Sequence, residues 1–237
     1  MQRVNVSVVL PTYNEAENIG PLTLAILAHL TDPVEVWVVD DDSPDGTWGV
    51  VANLAAQDPR VRLLRRTDAR GLTSAISAGI AASSGDVVVW MDCDFSMPPE
   101  VIPQLVYALR TGADVALGSR YVPGGGDVGH SWMARAFSWT INAFAALLLG
   151  WGVRDYTSGF VAARREVLER IPLQGDYGEY CIDLLHRAQR LGYQVEEIPY
   201  TCVTRASGES KTGANALDYL RRGWKYVRTI LQLRLSR

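Results

Sequence analysis

The segment Val87-Val88-Val89-Trp90-Met91-Asp92-Cys93-Asp94 constrains the chain most. It opens as an apolar run rich in β-branched residues, which reads as a strand buried on both faces. Such a strand needs a packing layer on each side of its sheet. It ends in two aspartates separated by one residue, so two carboxylates stand at its C-terminal end. In open α/β sheets that edge is where ligands bind. Carboxylate oxygens at this spacing suit Mg²⁺ or Mn²⁺ carrying a phosphorylated substrate. Taken alone, Asp-x-Asp also reads as a polar turn capping the next helix, and it stays ambiguous until the rest of the chain is considered.

The first half alternates strand and helix. Val6–Leu10 is expected as a strand, broken by Pro11-Thr12-Tyr13-Asn14, with Asn14 as N-cap of a helix from Glu15 to about Leu30. Val34–Val39 reads as a second strand ending at Asp40-Asp41-Asp42. Ser43-Pro44-Asp45-Gly46 then reads as a turn, with Asp42 and Asp45 as turn formers, before a helix from Thr47 to about Gln57. A strand at Val61–Leu64 and a small-residue helix from Gly71 to Ala82 lead into the Val87 strand. Pro98-Pro99-Glu100 opens a helix to Arg110, and Val115–Gly118 is a fifth strand. Strict alternation with short connections implies a parallel sheet with helices on both faces. Strands one, two and four all end in polar or acidic residues, which then converge on one edge.

The second half is less regular. A flexible Pro123-Gly124-Gly125-Gly126 loop precedes a helix over Ser131–Leu149. Gly159–Ala163 reads as a short strand, and Arg165–Arg170 and Tyr180–Leu191 as helices. Val195–Thr204 is extended, and Ala214–Leu235 is a C-terminal helix. The division expected is 1–212 as a catalytic unit and 213–237 as an amphipathic basic helix.

A net charge of -3 does not point to nucleic acid, and the three cysteines, Cys93, Cys181 and Cys202, are scattered without metal-type spacing. They read as reduced residues of a cytoplasmic protein. No signal peptide is expected, because the N-terminus enters a strand almost at once. The longest apolar tract, Ile141–Leu149, falls far short of the ~20 residues that span a bilayer. There is neither a Gly-x-Gly-x-x-Gly after strand one nor a P-loop.

Several segments together are more specific than Asp-x-Asp. They are Leu10-Pro11-Thr12-Tyr13-Asn14-Glu15, Val39 to Thr47, Ser84-Gly85-Asp86, Met91-Asp92-Cys93-Asp94, Gly118-Ser119-Arg120-Tyr121, Ser158-Gly159-Phe160 and Gly208-Glu209-Ser210-Lys211. This series resembles the GT-A-fold inverting glycosyltransferases, and most closely the dolichyl-phosphate (polyprenyl-phosphate) mannosyltransferases. The resemblance implies a Rossmann-like, mostly parallel α/β sheet flanked by helices, while the short apolar tracts leave no transmembrane helix expected in this chain. It implies that Pro11, Tyr13, Glu15 and Asp41 hold the nucleoside of a GDP-mannose donor, and that Asp92 and Asp94 hold Mg²⁺ or Mn²⁺ and the donor diphosphate. Lys211 joins the donor side. Arg120, Arg135, Ser138 and Arg205 would meet the acceptor phosphate, and Asp92, Asp94, Arg120 and Arg205 carry the catalysis. Three features depart from the family. Thr73 stands where Gly-Leu-Gly is usual, Ser96-Met97 follows the acidic motif where a further metal ligand is sometimes supplied, and many relatives continue into transmembrane helices. The chain is therefore expected to be a naturally short form or a truncated one.

The chemistry implied is metal-dependent and inverting, with a polyprenyl phosphate acceptor that is its own nucleophile. No protein base is then required, in keeping with His29, His130 and His186, all expected away from the acidic edge. Arg120 could instead serve only to pair a carboxylate. Ser131–Leu149 (with Trp132, Phe137, Trp139 and Phe144) and the basic C-terminal helix are expected to reach a membrane surface, on the cytoplasmic face, or else simply to pack on the core. A UDP-glucose-dependent glucosyltransferase and a non-catalytic nucleotide-sugar-binding module remain the alternatives.

Overall fold

The computed structural model describes residues 4–207 and 216–236, and the side chains of 216–222 lie outside that description. Seven elements alternate through the first half: β1 (Val6–Thr12), α1 (Ala16–His29), β2 (Val34–Asp40), α2 (Thr47–Gln57), β3 (Val61–Arg65), α3 (Leu72–Ala82) and β4 (Val87–Trp90). A 3-10 turn at Pro99–Val101 leads into α4 (Ile102–Thr111) and β5 (Val115–Ser119). There follow β6 (Gly126–Asp127), α5 (Trp132–Leu149), β7 (Val161–Arg164), α6 (Arg165–Arg170), α7 (Glu179–Arg190), β8 (Val195–Pro199), β9 (Thr201–Cys202) and α8 (Ala216–Leu235).

The main sheet has seven strands in the order β3-β2-β1-β4-β7-β5-β8, and β6 and β9 form a separate two-stranded ribbon. All neighbours in the main sheet are parallel except around β7, which runs antiparallel to both β4 and β5. The sheet is therefore mostly parallel and GT-A-like. The chain winds outward from β1 to β3, then crosses back to place β4 beside β1. That reversal leaves a crevice at the C-terminal ends of β1 and β4, where the acidic motif emerges.

Successive strand residues point to opposite faces, and each face has its own core. β1 sends Val8 and Leu10 into one and Val9 into the other; β4 divides Val87 and Val89 from Val88 and Trp90. The first core is closed by α1, α2 and α4 through Ile19, Leu22, Val51 and Leu105. The second is closed by α3, α5, α7 and α8 through Ile76, Ala145, Leu184 and Ile230. All four β4 residues are buried, as its apolar run requires. Trp90 can be buried because its indole N–H donates to the Tyr180 hydroxyl at 2.9 Å. Among the described residues no helix is long and apolar enough to cross a membrane.

Two local expectations change. β1 does not stop at Leu10. It stays paired with β2 as far as Thr12, while its pairing with β4 ends at Val9. Pro11 thus sits where the strand is bonded on one side only, a position that tolerates a missing N–H. Asn14 is not the N-cap of α1 either. It adopts a left-handed conformation (φ 56°), and Glu15 occupies the cap position without a capping side-chain bond. The caps come from the β2–α2 loop instead. Thr47 Oγ1 accepts from the Glu15 N–H at 2.9 Å, and Asp45 Oδ2 from the Ala16 N–H at 3.0 Å. Asp45 Oδ1 also accepts from the Thr47 N–H at 3.0 Å, so one aspartate braces the starts of both α1 and α2. Its reading as a turn former is thereby extended.

Gly85 in the Ser84-Gly85-Asp86 segment is required by close approach. A Cβ there would stand 2.6 Å from the Ser7 backbone nitrogen and 2.9 Å from the Asn5 carbonyl. Backbone cannot yield as a side-chain tip does. Gly85→Ala is expected to lower unfolding free energy in urea by about 1–3 kcal/mol; an unchanged midpoint would contradict the packing described.

Candidate active site

Two adjoining cavities open at the C-terminal edge of the sheet. The first, about 350 Å³, is lined by Pro11, Tyr13, Glu15, Asp41, Asp92 and Asp94, together with Arg70 and Arg205. Every donor-side residue expected from the sequence, apart from Lys211, therefore faces one space. The second, about 300 Å³, is lined by Arg120, Ser138, His130 and Cys202, and it shares Asp92, Asp94, Tyr177 and Arg205 with the first. The two aspartates thus stand on the boundary. Lys211 lies outside the described residues.

Asp94 is buried, its Oδ1 accepting the Ser96 N–H at 2.9 Å and its Oδ2 held by Arg205 Nη2 at 2.6 Å. The segment carrying Arg205 is tied to the same loop. Val203 N–H donates to the Ser96 carbonyl at 3.1 Å and Ala206 N–H to the Asp94 carbonyl at 2.9 Å. Asn18 of α1 bonds both the Glu15 carboxylate (2.8 Å) and the Ser207 carbonyl (3.1 Å). Arg205 Nη1 also approaches Glu15 Oε1 at 4.0 Å. Asp92 is more open, turned toward the cavities. Desolvation in the cleft, and then the charge of Asp94, push its carboxyl up to about 6, with Arg205 opposing. Three carboxylates share one guanidinium here, a surplus of negative charge that calls for a further cation.

The donor set fits a divalent cation of the hard type, held by Asp92 and Asp94. Met97 does not add a ligand. Its thioether is turned back to accept the Asp92 N–H at 3.4 Å.

Asp41 is fixed by both ends of the β3–α3 loop. Arg66 Nε donates to its Oδ1 at 2.7 Å and the Gly71 N–H to its Oδ2 at 2.9 Å. Arg70 from the same loop lies 5.0 Å over the Tyr13 ring. These arginines were not singled out in the sequence. The signal was there, since β3 ends in Arg65-Arg66 on the same sheet edge.

On the second side, Arg120 forms a bidentate pair with fully buried Asp155, with Nε and Nη2 each 2.8 Å from a carboxylate oxygen. Its Nη2 also reaches Thr157 at 2.9 Å and Ser138 at 3.3 Å. Arg120 therefore both pairs a carboxylate and lines the cavity. Arg135 is exposed, bonded through Nη1 to the Asp127 carbonyl at 3.1 Å, and lies outside the residues lining either cavity. Asp183 pairs with Arg187 at 3.2 Å within α7 and also lies outside both cavities.

His130 corrects an expectation. It does not lie away from the acidic edge but in the wall of the second cavity, which Asp92 and Asp94 also line. The β6–β9 ribbon carries it there. Its Nδ1 lies 3.0 Å from both oxygens of Asp127 and 3.6 Å from Cys202 Sγ. The Asp127 bond, then Cys202, push the imidazole up to about 10. Sequence spacing hid this trio, because Cys202 is distant in the chain and β6 has only two residues.

Residues 7–172 match the family model described as glycosyl transferase family 2. The chain belongs to glycosyl transferase family 2. Family members similar to it include the polyprenol monophosphomannose synthase of Mycolicibacterium smegmatis, 44% identical over 216 residues, covering 88% of this chain and 81% of that protein. The dolichol-phosphate mannosyltransferase of Pyrococcus furiosus is 38% identical over 95% of this chain, which spans 64% of that longer protein. Among solved structures, the glucosyl-3-phosphoglycerate synthase of Mycobacterium tuberculosis, in complex with Mn²⁺, UDP and glucosyl-3-phosphoglycerate, superposes with a TM-score of 0.73 at 25% identity. That match covers 97% of this chain and 80% of the other. The chain is thus a glycosyltransferase.

The state of Asp92 makes a measurable difference to folding. Its folded value of about 6 lies above the ordinary 3.8, so the fold holds the charged form unwillingly above pH 6 while the unfolded chain does not. Asp92 therefore opposes folding above about pH 6, and the opposition fades toward pH 3.8. Asp92→Asn is expected to raise the thermal midpoint at neutral pH, with the gain disappearing across that interval. Equal midpoints at neutral pH would show that the carboxylates are not in conflict.

Proposed function

We propose that this glycosyltransferase moves mannose from GDP-mannose to a polyprenyl (dolichyl) phosphate, with inversion, at the cytoplasmic face of a membrane. The observation that carries the reading is the pair of cavities meeting at Asp92, Asp94 and Arg205. Two substrates entering from opposite sides would bring their reacting atoms together at that boundary. The relatives named for mannosyl transfer, at 44% and 38% identity, support the sugar and the acceptor class.

In this reading the donor nucleoside lies among Pro11, Tyr13, Glu15 and Asp41, with its diphosphate toward Asp92, Asp94 and Lys211. The acceptor phosphate enters beside Arg120, Ser138 and Arg205, which line the second cavity, whereas Arg135 does not. One phosphate oxygen attacks the anomeric carbon. The bond from that carbon to the donor β-phosphate breaks, and its electron pair leaves with GDP. A phosphate monoester has a second pKa of about 6 and is largely dianionic at neutral pH, so no protein base has to remove a proton. Mg²⁺ or Mn²⁺ on Asp92 and Asp94 would supply Lewis-acid neutralisation of the leaving diphosphate. Arg205 adds a fixed positive charge at the same place. Attack on the face opposite the leaving group turns an α-linked donor into a β-linked product.

The lipid acceptor requires a membrane surface, and α5 supports one. Its Ala134, Phe137, Ser138 and Ile141 line the second cavity, while Trp132 (72% exposed) and Trp139 (62%) face outward. On α8, which packs against α5, Trp224 is 65% exposed, one turn from exposed Arg228, and Arg234 is exposed farther along. Phe137, Phe144, Tyr226 and Val227 pack inward on the core, so each helix divides its apolar residues between two duties. Exposed tryptophans with nearby arginines suit an anionic interface.

Incubation with GDP-mannose or UDP-glucose and polyprenyl phosphate, with product identification by mass spectrometry, is expected to give polyprenyl phosphate mannose from GDP-mannose. Transfer from UDP-glucose alone would replace mannose by glucose in the reading. Asp94→Ala should lower kcat by roughly 10²–10³-fold, the order seen when one electrostatic stabiliser is lost; a chain without any transferase activity would be a binding module. In co-sedimentation with anionic vesicles, Trp132→Ser combined with Trp139→Ser should weaken binding several-fold, and undiminished binding would remove α5 from the membrane contact.

A further inference from the structure

One cluster has no assigned role in the transfer: His130, Cys202 and Asp127, whose Oδ2 also lies 3.5 Å from Arg120 Nη1, in the wall of the second cavity. Their ligand atoms all lie within 4.8 Å of one another. The backbone builds the cluster. Asp127 and Cys202 are register partners across the parallel β6–β9 ladder. Val128 and Gly129 N–H groups both donate to the Cys202 carbonyl, at 2.9 and 3.1 Å, which curls the chain back and returns His130 to the same spot. Gly129 permits this turn, since a Cβ there would collide with the Val203 carbonyl. The cluster is thus set by main-chain bonds rather than by flexible side chains.

The arrangement is wrong for a proton relay through the ring. In a cysteine–histidine nucleophile pair the thiol and the carboxylate use different imidazole nitrogens. Here both converge on Nδ1, with Asp127 at 3.0 Å and Cys202 at 3.6 Å. The N, O and S donor atoms lie within 4.8 Å of one another, close enough to share one cation. Tetrahedral zinc, with Zn–S near 2.3 Å and Zn–N near 2.0–2.1 Å, separates its N and S ligands by about 3.6 Å. That matches the observed spacing, and the Asp127 contact needs to open by only about 0.3 Å.

We propose that Asp127, His130 and Cys202 form a second divalent-cation site, of the soft-donor type that selects Zn²⁺ over Mg²⁺, separate from Asp92 and Asp94. A thiolate and an imidazole favour zinc, whereas the paired carboxylates favour magnesium or manganese. The cation clips the β6–β9 ribbon, and its fourth position opens to the second cavity, where water or an anionic oxygen completes the tetrahedron. His130 is about half exposed, which gives the cation a route in.

Co²⁺ is the probe, because only a thiolate ligand gives it an intense near-ultraviolet charge-transfer band. Chelator-treated full-length protein, titrated with Co²⁺, is expected to develop that band with one equivalent and to lose it when Zn²⁺ is added. Cys202→Ser should abolish it. Cys93→Ala and Asp94→Ala should retain it, because Cys93 lies between the paired aspartates and must not be its source. His130→Gln, a change at a half-exposed side chain, should weaken Co²⁺ binding at least tenfold and serves if Cys202→Ser does not fold. No band in the wild type, a band that survives Cys202→Ser or is unaltered in His130→Gln, or one lost in Cys93→Ala or Asp94→Ala, would overturn the proposal. In that case the trio is a hydrogen-bonded cluster around a protonated histidine.

Discussion

The crowding of like charges at one sheet edge is the constraint around which this molecule is built. Parallel strands that wind outward and cross back bring the ends of β1, β2 and β4 together, and each leads within three residues to a carboxylate: Glu15, Asp41 and Asp92. Carboxylates so close repel one another, and the fold offsets this unequally. Asp41 is neutralised by Arg66 and a backbone N–H. Asp94 and Glu15 share Arg205. Among the described residues Asp92 forms no ion pair of its own, and the fold holds it against the preference for the neutral form that desolvation in the cleft gives it. The edge therefore stores an electrostatic deficit that a divalent cation and a phosphorylated donor are suited to relieve. A fold that satisfied every carboxylate internally would be more stable and would have nothing left with which to bind.

The same edge divides the space above it. Asp92 and Asp94 form the boundary between two cavities, and Arg205 belongs to both. The chain after β5 builds the second of these. β7 enters the sheet antiparallel between β4 and β5, so the segment before it, with Asp155 and Thr157, comes up beside Arg120. That network fixes a guanidinium in a buried position at a compensated charge. Arg120 is consequently a rigid donor of directed hydrogen bonds more than a free positive charge. α5 then lines this cavity with one face and carries exposed tryptophans on another.

Much of this was legible in the residues. Strand patterns of Val and Ile, and helices bounded by Pro, Gly and Thr, mark the β-α alternation because period and breaker residues act locally. Asp41, Asp92 and Asp94 could be grouped once strand ends were known to share an edge. Other features were hidden for physical reasons. The caps of α1 come from Asp45 and Thr47, about thirty residues downstream, so Asn14 looked like the capping residue. The pairing of Arg66 with Asp41, and of Arg120 with Asp155, depends on side chains meeting across the fold. His130 has no periodic or motif signal, and it joins the cavity wall only through a two-residue ladder with β9.

By itself the sequence determined the layer architecture, the acidic edge and the kinship to enzymes of sugar transfer, since each rests on local pattern or on a motif short enough to be read in order. Tertiary structure alone decided how the charges are shared. It left Asp92 in deficit while Asp41 and Arg120 were compensated, and it gathered Asp127, His130 and Cys202 at one point. Charge balance and ligand geometry are set by distances of a few ångströms between residues far apart in the chain, and those distances exist only once the sheet has closed.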